Sequence, residues 1–487
     1  MPADHNLPNP AMRHGLGRLA SSTAWSALDF WTQQATALVV FVVVGNMVGP
    51  AAVGVLTMAQ LAVTLMLTFL LDGFGDALIQ RRLLDRTHID TAFVLLTGLG
   101  LAAGAVLWLA APLAAGLFDA PALAHILPLL AIGLPFQGAA APYQAMLQRE
   151  MRFAALALRS LVAQGAGFVC ALLMARAGFG AEALVGYFLT ARVLDAALLM
   201  LIARRLPGRA LSRAALADIL GYGKHRVGNQ VVGFVVMQID RFSTAYFLGP
   251  IAVGLYSIAE RITGAFNGGL SGVLVRVAFP IFSERQGDPA RLRQALQDML
   301  LLGNLLALPA FVGIALVGEE LVASLFSAAW ADAAPVLAVL SLAGIPHATN
   351  YILTAAINAL GRPDIALRYS IRIMLLRLAC SIAAAPFGLL AVAWANLGVT
   401  ACSTLLVIAG IRPFLPEAPR LVPQTLRVPL LGTLGMAAAV VGTGWLFAGF
   451  SPPLLLAVKV VAGGASYAAL LLAIAPQALG LLRRRVT

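Results

Sequence analysis

Long apolar runs separated by short polar gaps organise this chain from about residue 27 onward. No Asp, Glu, Lys or Arg occurs between Asp90 and Asp119, between Asp119 and Arg149, between Asp298 and Glu319, or between Asp332 and Arg362. Each window holds the roughly 20 residues that a membrane-crossing helix needs. The charge-free stretch from Arg377 to Arg412 would make a helix of about 50 Å, too long for one ordinary span, and Pro386-Phe387-Gly388 divides it. The pattern predicts spans near 27–47, 52–72, 91–116, 124–147, 157–175, 183–203, 223–247, 252–278, 299–318, 334–358, 365–386, 389–410, 428–448 and 454–478. Pro112, Pro128, Pro135, Pro309 and Pro346 fall within or beside these helices. Neighbouring helices or water can satisfy the carbonyls that such prolines free. The runs lack the alternating polar and apolar pattern of a membrane β-barrel.

The basic residues give these spans a direction. With the N-terminus in the cytoplasm, alternate connections with their adjoining helix ends and the two tails collect 26 of the 33 Lys and Arg residues, while the opposite connections hold Arg176. Such asymmetry predicts an even number of spans and two cytoplasmic termini. The longest hydrophilic connections, 204–222 and 279–298, leave no room for a separate soluble domain. Composition agrees: 60% of residues are hydrophobic and 11% charged, against about 45–50% and about 25% in soluble domains. The net charge of +12 lies in clusters between apolar runs, which suits loop retention on the cytoplasmic side better than a nucleic-acid surface. Cys170, Cys380 and Cys402 form no CxxC and the six histidines no ligand-spaced cluster, so neither a disulfide framework nor a metal site is expected. Residues 1–26 read as a polar cytoplasmic tail rather than a cleavable signal.

The chain also repeats itself. VGNMVGPAAVGVLTMAQ at 44–60 matches TAYFLGPIAVGLYSIAE at 244–260, pairing Gly49-Pro50 with Gly249-Pro250 and Gly54 with Gly254. Each copy joins two predicted spans through a tight turn, where glycine permits a sharp bend and proline starts the next helix. A fainter echo links 143–160 with 351–370. Six spans separate the equivalents, so the halves share one orientation, a transporter architecture. Chance similarity of apolar segments is the rival explanation, but apolarity alone does not place GPxAxG at the same topological point twice. The expected organisation is a tail at 1–26, an N-lobe at 27–222, a C-lobe at 223–411, and a C-terminal helix pair and tail at 412–487.

The segment at 248–259, together with GFGDALIQRR at 73–82, QREMRF at 148–153, RVAFPIFSERQGDPARLR at 276–293 and ALGRPDIALR at 359–368, resembles the polysaccharide exporter and oligosaccharide flippase family of the multidrug/oligosaccharidyl-lipid/polysaccharide superfamily. The resemblance covers nearly the whole chain. It implies an all-α polytopic fold of about 14 transmembrane helices, in two parallel six-helix lobes plus a C-terminal pair. It further implies movement of undecaprenyl-diphosphate-linked oligosaccharides across a bacterial inner membrane for exopolysaccharide or O-antigen synthesis. A polysaccharide polymerase and a chain-length regulator are the implied partners. The family offers no catalytic motif to transfer, and neither a cofactor nor a nucleic-acid partner is expected. The chain carries no P-loop for direct use of ATP. The rival functions are a cation-coupled multidrug extruder on the same scaffold and a membrane glycosyltransferase or polymerase. The short loops oppose the second.

Charges inside apolar spans are costly and mark functional candidates. Arg241, Arg261, Arg377 and Arg192 are the candidate substrate contacts, because guanidinium groups match a diphosphate with several directed donors. Salt bridges that stabilise the lobes are the rival use. Arg192 and Asp195, three residues apart, share a helix face as a cavity pair or a structural one. Asp240 and Glu260 adjoin arginines that cannot face them on the same helix, so they read as partners across helices. Asp72 and Asp76 flank Gly73-Phe74-Gly75 as cap or gate residues. Gln33, Gln34, Asn46, Gln60, Gln164, Asn229, Gln230 and Gln238 suit sugar hydroxyls or, as the commoner use, neighbouring helices. Lys459, near the outer end of the last span, is expected to reach water.

Overall fold

The computed structural model describes residues 16–70, 86–204 and 212–474, with Leu78 and Gly208. Among them are twelve helical stretches long and apolar enough to cross a membrane, and the described structure is α-helical with short connections. The chain is an all-α, multi-pass membrane protein. It divides into two compact units, Met1–Gln238 with Gly249–Gly254, and Ile239–Leu248 with Leu255–Thr487.

Unit one contains α1 (Leu16–Leu70), α2 (Arg86–Leu117), α3 (Leu123–Ala131), α4 (Gly133–Arg149), α5 (Phe153–Arg176) and α6 (Ala181–Ala203). α3 and α4 are the two halves of one apolar stretch, Leu123–Arg149, interrupted at Ile132 between Pro128 and Pro135. The first proline removes a donor inside α3, and the second starts near the head of α4, where its missing N–H costs little. α5 packs on α6 and on α1, and α2 packs on α4. Tyr143, Leu147, Leu156 and Leu199 form a core between α4, α5 and α6.

α1 and α7 (Arg213–Arg285) each consist of two helices joined at a glycine. Gly49 has φ 81° and ψ 170°, and Gly249 has φ 77° and ψ −173°. This backbone region is essentially reserved for glycine. The two breaks are the equivalent positions of the sequence repeat. Within unit one, the repeats also meet: a Cβ on Gly54 would lie 1.7 Å from the Pro250 carbonyl oxygen, and one on Gly254 would lie 2.1 Å from that of Pro50. Any side chain at either position would collide with rigid backbone, so this reciprocal approach requires glycine.

Unit two contains α8 (Pro289–Leu325), α9 (Ala333–Leu342), α10 (Gly344–Ala359), α11 (Pro363–Ala384), α12 (Leu389–Ile411), α13 (Ala418–Leu446) and α14 (Pro452–Ile474). Asp288 caps α8 by accepting from the amides of Ala290 and Arg291 at 3.0 and 3.2 Å, with Pro289 opening the helix, which satisfies donors that a helix start leaves orphaned. The expected break at Pro386 is a 3-10 turn, Ala385–Phe387, ended by Gly388 at φ 104°. α8 is the central post, packed by α9, α10, α13 and α14. Lys459 of α14 departs from expectation. It is 9% exposed and donates to Glu320 of α8; its charge is neutralised inside the unit instead of being carried to water. Tyr467 of α14 also donates to the Leu305 carbonyl of α8 at 2.8 Å.

Candidate functional site

A cavity of ≈380 Å³ opens inside unit one. Gln33 and Gln34 of α1 reach it, with Gln137 and Gln144 of α4, Arg159, Ser160 and Gln164 of α5, and Tyr187, Arg192 and Asp195 of α6. Helical spacing explains the convergence. Gln137 and Gln144 are seven residues apart, Ser160 and Gln164 four, and Phe188, Arg192 and Asp195 fall at successive turns of one face. The polar residues therefore share a wall, while other faces of the same helices carry exposed apolar side chains such as Leu158, Leu161 and Val193.

Arg159 Nη1 donates to Asp195 Oδ2 at 2.9 Å, and the two side chains are 6% and 21% exposed. Pairing at this depth offsets part of the cost of removing each charge from water. Arg192 precedes Asp195 by one turn. Beside them, Gln164 donates to Ser160 Oγ at 3.0 Å and accepts from the Tyr187 hydroxyl at 3.2 Å. The wall thus offers two guanidiniums, one carboxylate and five amides, a mixture that can bind a polar, hydroxyl-bearing group within an apolar bundle.

Unit two holds a second polar cluster. Asp240, 5% exposed, accepts from Asn396 Nδ2 of α12 at 2.6 Å and from the Tyr256 hydroxyl at 3.5 Å. Arg377 Nε of α11 lies 3.3 Å from the same carboxylate oxygen, Oδ2. Arg241 donates to Glu260 at 2.5 Å. Arg261 is half-buried and follows Glu260 directly. The expected candidates therefore separate: Arg192 and Asp195 line the cavity of unit one, whereas Asp240, Arg241, Glu260 and Arg377 form ion pairs in unit two. Asp72 and Asp76 lie outside the described residues.

A family model described as "Polysaccharide biosynthesis protein" matches residues 43–335, more than half of the chain. The chain belongs to that polysaccharide biosynthesis family. Among curated relatives, the lipopolysaccharide biosynthesis protein WzxC of Escherichia coli K12 is 24% identical over 354 residues, 72% of each chain. The teichuronic acid biosynthesis protein TuaB of Bacillus subtilis is 26% identical over 424 residues, 85% of this chain and 86% of that one. The succinoglycan biosynthesis transport protein ExoT of Rhizobium meliloti is 25% identical over 66% of this chain and 65% of its own. The solved lipid II flippase MurJ, in an inward closed conformation, matches 92% of this chain and 98% of its own with a TM-score of 0.73 at 12% identity. That identity supports likeness of fold alone.

For a polysaccharide biosynthesis protein of this fold, the cavity contains residues the sequence did not single out. Arg159 looks like the last of a cytoplasmic basic cluster after Arg149 and Arg152, yet it is buried in α5. Gln137 and Gln144 carry no charge to draw notice; their seven-residue spacing was the available signal. In the unit-two cluster, outside this cavity, Asn396 sits within a long charge-free window, where one amide barely alters the apolar pattern.

Proposed function

We propose that this chain translocates lipid-linked oligosaccharide units across the bacterial inner membrane for surface polysaccharide synthesis. The observation that carries the reading is the polar cavity among membrane-length helices of unit one, within a chain of the polysaccharide biosynthesis family. A carrier must shelter the hydroxyl-rich head of its substrate from hydrocarbon, while the polyprenyl tail can stay in lipid. No covalent step is needed. The relatives' names, which concern lipopolysaccharide, teichuronic acid and succinoglycan, fit a substrate of this class.

In this reading the helices broken at Gly49 and Gly249 each cross the membrane twice, and twelve apolar stretches become fourteen spans. These form two parallel six-helix lobes, 27–222 and 223–411, followed by the pair at 412–487, with both termini cytoplasmic. The lobes expose the cavity alternately to each side. Arg192 contacts the charged head of the substrate. Arg241, Arg261 and Arg377 are the substrate contacts of the second lobe, where Glu260 positions Arg241 and Asp240 positions Arg377; Asp195 positions Arg159 in the first, and Asp72 and Asp76 act at the inner gate. A polysaccharide polymerase and a chain-length regulator receive the product.

The test is reconstitution in liposomes with an undecaprenyl-diphosphate-linked oligosaccharide. The unsubstituted protein should accelerate transbilayer movement, and Arg192→Ala should slow it at least tenfold. Export of small organic cations without lipid movement would replace this reading with a multidrug extruder.

A further inference from the structure

The five glutamines of the unit-one cavity are not equivalent. Gln164 is held by Ser160 and Tyr187, the ordinary use of an amide between membrane helices. Gln33, Gln34, Gln137 and Gln144 line the same cavity, yet none makes a side-chain hydrogen bond to another described residue. Gln33 is exposed and the other three are half-buried, so the four amides converging from two helices stay within reach of solvent and are open to a hydrogen-bonding occupant of the cavity.

The chemistry of that occupant follows from the donors and acceptors. An amide donates and accepts; a phosphate or carboxylate accepts only, and an ammonium donates only. Hydroxyl groups match amides in both directions. The charge of the cavity is small, with two arginines set against one aspartate and Arg159 committed to Asp195, so the pocket is poorly matched to a diphosphate by itself. Gln137 and Gln144 lie about 10 Å apart along α4, farther than a single sugar ring extends. The volume of ≈380 Å³ is at the small end for ligand sites, and Phe188, Ala37, Ala163 and Ala191 supply apolar surface for ring faces.

We infer that Gln33, Gln34, Gln137 and Gln144 form a glycan-reading subsite that engages sugar hydroxyls rather than the diphosphate of the carrier lipid. The inference rests on the translocation reading and assigns part of its cavity to substrate selection. α1 presents one amide pair and α4 the other, so the head group is gripped from two sides.

Gln137→Met and Gln144→Met remove the amides while nearly preserving side-chain length. Each variant, and the pair, is compared with the unsubstituted protein on two probes: an undecaprenyl-diphosphate-linked disaccharide and sugar-free undecaprenyl diphosphate. Transbilayer rates are measured in liposomes and binding in detergent. The paired variant should lose at least tenfold in rate and affinity for the disaccharide lipid, with values for the sugar-free lipid within twofold. Gln137→Asn, which keeps an amide, should fall between. Equal losses on both lipids, including those from misfolding, or no loss on either, would overturn the subsite. If the unsubstituted protein moves neither lipid, the translocation reading fails, and detergent binding still decides the subsite: a sugar preference abolished by the pair supports it, and none overturns it.

Discussion

Two carboxylates show how the protein keeps charge inside an apolar bundle. Asp195 is matched by Arg159 across α5 and α6 at 2.9 Å, and Asp240 is matched by Arg377 and by the Asn396 amide. Removing one member of a buried pair is worse than removing both, because the survivor keeps its charge without its partner. Asp195→Asn should therefore destabilise the protein by about 3–5 kcal/mol, read as a lowered unfolding midpoint in detergent. The double substitution Arg159→Met with Asp195→Leu should recover most of that loss; a double variant as unstable as the sum of the singles would refute the pairing argument. Asn396→Leu leaves a carboxylate oxygen short of its 2.6 Å donor and should cost about 1–3 kcal/mol. The sequence displayed most of these charges as anomalies in apolar runs. It did not display the partners, because a costly charge announces its presence and not the helix that compensates it. Arg159 was hidden for the opposite reason: Arg149 and Arg152 just before it made it look like part of a loop.

Helices and their interruptions were far more legible than the contacts between them. Apolar run length tracks membrane thickness, so α2, α5, α6 and α12 end within a few residues of the predicted limits. The repeat located the Gly49 and Gly249 breaks because each needs a backbone that glycine alone adopts readily. The division of 123–149 at Ile132 was not legible, since proline inside an apolar run marks either a kink or a tolerated position. Lys459 misled for a related reason: its reach allows both water and an ion pair, and the partner Glu320 lies 139 residues away. At this scale the backbone argument gives a test. Gly49→Ala and Gly249→Ala should each cost about 1–3 kcal/mol by forcing a side chain into a strained region, measured as a lower midpoint in thermal or denaturant unfolding. Gly54→Ala should be worse than either, since its Cβ would sit 1.7 Å from the Pro250 oxygen. Equal stability of Gly54→Ala and the unsubstituted chain would remove the close approach.

Across the whole molecule, sidedness is the property from which the transport reading draws its direction, and charge placement predicts it. Lys and Arg are retained in the cytoplasm when they flank short connections, and the 26 of 33 that the sequence assigns to one side, Arg159 now found buried in α5 among them, gather there only if the chain crosses twice between Pro363 and Ile411. The 3-10 turn at Ala385–Phe387 and Gly388 permits that second crossing. If the turn instead lay within one membrane-embedded segment, every later connection would change sides. Single cysteines in a chain whose Cys170, Cys380 and Cys402 are replaced by serine distinguish these arrangements. Ala329, between α8 and α9, and Ser451, between α13 and α14, are exposed, as is Gln286 before α8. Ala329→Cys and Ser451→Cys should react with a membrane-impermeant maleimide in intact spheroplasts, and Gln286→Cys only after permeabilisation. Labelling of Ala329→Cys without Ser451→Cys would locate the error at Pro386 and leave the earlier spans intact. The reverse pattern at Ala329 and Gln286 would invert the protein, and the cavity would then have to be loaded from the opposite side.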